Sequence, residues 1–188
     1  MDFRERIIRK LMDLLSGSFK DSTWMSDTMK IKLGRRLQDN HSIRGKFHFK
    51  LFDEFGNLKQ ELEVLNTVTE LGDAHVADAM SDRGVTLATH MSVGTGVAGG
   101  AGATTLTNEL HKEALDSTTQ GAAGDDNDVI WVCTFPAGHG TGALTEAGIF
   151  NAAPANTGVM DVISGFPVIN KGAADSLEIT WTLTCGAS

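Results

Sequence analysis

The stretch GALTEAGIFN, residues 142–151, sets one carboxylate, Glu146, among small and apolar neighbours. Such a group can exchange protons with a substrate, which calls for a second acid or base converging on the same pocket. Alternatively it anchors structure, because a buried charge must be partnered. The adjacent strand-like segments offer almost no second titratable group, and most acids of this half fall in loop-like stretches. Glu146 is therefore expected to be a structural pin. It would accept hydrogen bonds from turn amides or meet Lys171 in the turn NKGAAD.

Other chemistry is weaker still. Gly94, Gly96 and Gly99 in GTGVAGG have the GxGxxG spacing of a dinucleotide site. That motif works only where a helix opens at the glycines and an acid follows on the next strand. Here GAGATTLTNEL follows, so the glycines are expected to end a strand in a close-packed loop, and no cofactor is expected. His41, His48, His75, His90, His111 and His139 show no paired ligand spacing, so no metal site is expected. No GxSxG elbow occurs, and GHGTG around His139 has no nearby nucleophile, which leaves no catalytic residues to assign. Cys133 and Cys185 lie in strand-like runs and are expected to be buried thiols.

The elements around these residues are mostly strands. In KFHFKLF, Phe47, Phe49 and Leu51 alternate with Lys46, His48 and Lys50; DEFGN turns the chain, and LKQELEV returns with Leu58, Leu62 and Val64. TELGDAHVADAMSDRG predicts a short helix with Asp73 as N-cap and Gly84 beyond its end. VTLATHMSV predicts a strand with Val85, Leu87, Met91 and Val93 on one face. Residues 94–128 are glycine-rich and polar, and are expected to form a long surface excursion. VIWVCTF, LTEAGIFNA, GVMDVISGFPVI and SLEITWTLTC complete a mainly β chain, an antiparallel sandwich or barrel.

Ahead of this β domain (46–188), residues 1–45 read as an assembly arm. Phe3, Ile7, Leu11 and Leu14 form the apolar stripe of an N-terminal amphipathic helix predicted over 2–16 and ended by Gly17, and Arg35 and Arg36 lie in the extended arm after it. Docking on its own domain or on a neighbouring subunit is the expected use of that stripe. The net charge of −8 conceals a division: residues 1–60 hold thirteen basic and eight acidic side chains, residues 61–188 three and sixteen. An acidic body with a basic arm suits head-to-tail association. Nucleic acid is disfavoured because acids dilute the basic residues at nearly every turn. No run of 18 apolar residues occurs, so no membrane span is expected; Asp2, Glu5 and Asp13 interrupt the apolar core that a signal peptide needs, so a protein made and at first kept in a cytosol is expected.

Four stretches in order, NTVTELGDAHVADAM, MSVGTG, LTEAGIFNA and VINKGAADSLEITWTLT, resemble a group of small structural proteins of tailed bacteriophages. More distantly they resemble the attachment domain of phage tail-collar fibre proteins. The resemblance covers about residues 46–185 and leaves out the first 45. It implies a virion component without catalysis: a neck, tail or baseplate adaptor or collar supporting a fibre, or alternatively a capsid decoration protein. Partners would be copies of itself in a trimer or hexamer and portal, neck, tail, fibre or major capsid proteins. A third reading, a carbohydrate-binding module, rests on Trp24, Trp131 and Trp181, of which the last two sit in alternating strands where core packing is the default.

Overall fold

The computed structural model describes residues 41–187. The amphipathic stripe at 2–16, with Phe3, Ile7, Leu11 and Leu14, and the pair Arg35 and Arg36 lie outside the described residues. Alternation decides the first sheet. Strand β1 (His41–Phe52) turns Phe47, Phe49 and Leu51 inward and pairs antiparallel with β2 (Leu58–Leu65) across the DEFGN turn. Asp53 closes that turn by accepting from the backbone N–H groups of Phe55 and Asn57, and Gly56 supplies the left-handed residue at φ +82°. On its other side β1 pairs in unbroken register with β10 (Ser176–Ala187), which pairs with β7 (Asp128–Phe135) and through it reaches β6 (Ser117–Gln120). The order is β2-β1-β10-β7-β6.

The second sheet has the order β3-β9-β8-β4-β5 and is also antiparallel throughout. Its strands are β3 (Thr67–Val68), β4 (His90–Gly94), β5 (Glu109–Ala114), β8 (Gly142–Phe150) and β9 (Met160–Lys171). Inward-facing residues of both sheets form one core, from Phe47, Phe49 and Trp181 on the first to Met91, Leu144 and Ile149 on the second. Phe47 and Trp181 are register partners, and their rings stack with centroids 4.8 Å apart. Ile163, Phe150, Met160 and the loop residue Leu106 make a separate small cluster, so β8 and β9 contribute buried side chains to two cores.

Helix α1 (Glu70–Met80) forms where expected, but Thr69, not Asp73, is its N-cap, accepting from Gly72 N at 2.9 Å. Thr69 is fully buried and its hydroxyl also donates to the Met160 carbonyl, so the cap doubles as the fastening to β9. Gly84 lies beyond the helix end at φ +66°, while Ser81 is the C-cap. Four further expectations change. The strand anticipated over 85–93 is confined to His90–Gly94, and Leu87 is exposed. Leu58 on β2 is exposed as well, whereas Leu62 and Val64 pack on the core. The excursion at 94–128 contains the edge strands β5 and β6, and Leu106 within it is buried. Residues 41–45, counted with the arm, are the first five of β1, in register with Ala187–Leu183. No helix among the described residues is long and apolar enough to cross a membrane.

Candidate functional site

Glu146 lies on β8 opposite Gly94 of β4 and Gly165 of β9, so neither neighbouring strand crowds it with a side chain. Its carboxylate is fully buried beneath the loop 95–108. Oε1 accepts from Gly96 N at 2.9 Å and Asn108 N at 2.8 Å, and Oε2 accepts from Thr107 N at 3.0 Å. One side chain thus gathers both ends of the loop, and the neighbouring Thr145 hydroxyl adds a bond to Gly96 O at 2.6 Å. A Cβ on Gly94 would stand 2.7 Å from Glu146 Oε1, and one on Gly96 would overlap the same oxygen. These two glycines of the GxGxxG spacing therefore make room for a carboxylate of the same chain. The segment is an Ω-like loop with Leu106 as its apolar anchor, and Ala101 O near its tip accepts from Glu70 N at the start of α1.

Lys171 does not meet Glu146. It is 2% exposed and donates to the Pro136 carbonyl at 3.0 Å and the Asp175 carbonyl at 2.6 Å, tying the β7–β8 loop to the β9–β10 turn. Burial pushes its ammonium down from the ordinary lysine range, against the opposing pull of Asp175. Asp175 in turn accepts from Lys59 Nζ at 2.7 Å and Gly172 N at 2.8 Å, and the Lys59 hydrogen bond leads the causes that hold its carboxyl below the usual value. Lys112, unremarked in the sequence, is a comparable anchor. Its Nζ donates to Pro154 O and Thr157 O at 3.1 Å each, and lies 3.9 Å from the Phe150 ring centroid. Burial lowers its pKa, and Glu109, 3.7 Å away, opposes that shift.

Two further groups of titratable side chains lie at a groove or converge from different elements among the described residues. An apolar groove of about 630 Å³ runs beside α1, with Val76, Leu87 and Trp131 on its walls. His75 Nδ1 and Asp161 Oδ1 meet 2.7 Å apart at its edge, and burial raises the Asp161 carboxyl. The other group gathers His111 and Glu113 of β5 with His139 of the β7–β8 loop. Residues two apart on a strand share a face, and the chain between Pro136 and Gly142 turns through left-handed glycines at Gly138 (φ +83°) and Gly140 (φ +61°) to bring His139 onto that face. Glu113 Oε2 then lies 2.6 Å from His139 Nδ1 and 3.1 Å from His111 Nε2, and the two rings are 4.7 Å apart. The His139 contact, followed by that of His111, holds the Glu113 carboxyl below its ordinary range.

The HxE alternation of His111 and Glu113 was readable in the sequence, but only once residues 109–114 are known to be a strand; the third member comes from 26 residues further on. Cys133 is buried and its thiol is pushed up well beyond the ordinary cysteine range, chiefly by burial, whereas Cys185 is only partly buried. The chain matches no protein-family model, no curated protein and no solved structure.

Proposed function

We propose that this chain is a non-enzymatic structural subunit of a tailed-phage virion. Its two-sheet body would be a β-sandwich held in a trimeric or hexameric ring at the neck, tail or baseplate, and its N-terminal arm would reach a neighbouring protein. The observation that carries this reading is how the residues behind the phage resemblance are used. Thr69 caps α1 and fastens it to β9, Gly94 and Gly96 admit Glu146, Glu146 holds the loop 95–108, and Lys171 joins two turns. Thr69, Glu146 and Lys171 each spend a polar side chain on backbone of the same body. Both oxygens of Glu146 are engaged by backbone amides, which suits a pin and not a proton donor. Trp181 is fully buried, and Trp131, on the wall of the groove, is only 6% exposed, which leaves little indole surface to stack on a sugar.

The test is the position and copy number of the tagged subunit in purified particles. A few to a dozen copies at the tail or neck fit the proposal, whereas hundreds over the head would favour a decoration protein. Particles without the subunit, or a turnover lost in Glu146→Gln with folding intact, would overturn the structural reading.

A further inference from the structure

We propose that His111, Glu113 and His139 form a binding site for a divalent transition-metal ion, with zinc the best fit. The three donor atoms, one from each residue, lie within 4.8 Å of one another. Around a tetrahedral zinc with bonds of about 2.0–2.2 Å, ligand atoms stand roughly 3.3 Å apart. The contacts to Glu113 Oε2, 2.6 and 3.1 Å, are close to that spacing, so the three donors already converge on one place. Two imidazole nitrogens and one carboxylate oxygen select zinc and its first-row neighbours over magnesium or calcium, which take oxygen ligands.

The scaffold holds these groups in place without the ion. His111 and Glu113 project from a strand paired with β4 at Val93 and Met91. His111 packs edge-on to Phe135, with ring centroids 6.2 Å apart. The loop bearing His139 is fixed on its far side by Lys171 at Pro136 O and by the Gly138 N to Ala173 O bond of 2.7 Å. A side chain on Gly140 would press on Val93, at 3.0 Å from its Cβ position, so the glycine lets the loop lie close to β4. His139 is about half exposed, which gives an ion a path in and leaves a fourth position open to water or to a donor from outside the chain. Bound there, zinc would brace the connection between the sheets: His139 belongs to the loop leaving β7 of the first sheet, and the other two ligands to the edge strand of the second.

The test uses the full, untagged chain stripped with a chelator and titrated with zinc chloride. Calorimetry should give saturable binding of one ion per chain, with a rise in melting temperature that follows occupancy. His139→Ala and His111→Ala should each lose both effects, while His48→Ala keeps them. Ring resonances provide a check that needs no variant to fold: zinc should shift the His111 and His139 imidazole signals of the wild-type chain and spare that of His48. Absence of saturable binding, binding that survives His139→Ala, or shifts confined to other histidines would each refute the site.

Discussion

At the scale of single residues, Glu146 and Lys171 spend their buried charges on backbone. Glu146 takes three amide donors from a loop with little apolar anchorage of its own, and a charged acceptor makes such bonds stronger than neutral ones. Replacing it by Ala strands the N–H groups of Gly96, Thr107 and Asn108 beneath the loop. The expected loss is about 3 kcal/mol of unfolding free energy, read from urea midpoints at unchanged slope. Glu146→Gln keeps the volume but turns an NH₂ toward one donor, and should fall between wild type and Ala. A Glu146→Ala protein as stable as wild type would mean that the loop is held by Leu106 and its neighbours alone. The need for a partnered carboxylate was legible in GALTEAGIFN. Which partner was not, because amides donated from residues 38 to 50 positions earlier leave no mark on the local sequence.

Among the elements, strands with strict alternation were legible in their facing, whereas β8 and β9, buried on both faces over much of their length, were legible as strands but not in which face meets the core. KFHFKLF and SLEITWTLT have one core face and one outer face, and their periodicity maps directly onto the burial seen in β1 and β10. Strand β4 lies under the loop 95–108 on one side and over the main core on the other, so Ser92 and Gly94 are buried along with Met91 and Val93. Alternation there carries no information about facing, and the apolar pattern over 85–93 is longer than the strand it predicts. β5 and β6 are edge strands rich in polar residues, which composition alone cannot tell from loop. Helix α1 was visible, but its true cap was hidden because Thr69 is chosen by tertiary contact with β9. That contact also explains Gly72, the one buried residue of the helix, whose Cβ would overlap the Asp161 carbonyl. Gly72→Ala gains about 1 kcal/mol of helix propensity but forces helix and strand apart. A net loss of about 1–3 kcal/mol is expected from overpacking, with amides of α1 exchanging faster while those of the β1–β10 ladder keep their protection. A more stable Ala variant would show that the helix can sit further from β9 at no cost.

For the whole molecule, the boundary ahead of β1 divides the charge, and under the proposed function it would divide assembly from folding as well. Residues 1–40 hold nine basic and six acidic side chains, and residues 41–188 seven and eighteen, so the division read from the sequence persists when the boundary moves to the start of β1. The sequence placed that boundary five residues late, because His41–Gly45 lack the strong alternation that begins at Lys46. Those five residues pair with the end of β10, Ile43 packs on the core, and Gly45 O accepts from Asn66 N at 3.1 Å. Two truncations therefore separate assembly from folding. Removing residues 1–40 leaves every described strand intact, and should give a soluble chain with the full-length unfolding midpoint that sediments as a smaller species. Removing residues 1–45 also strips the β10 end of its partner and uncovers apolar area around Ile43, and should unfold earlier by about 2 kcal/mol or more. If the 41–188 chain sediments like the full-length oligomer, the arm is not what joins the subunits, and the contacts of the assembly must be sought on the two-sheet body itself.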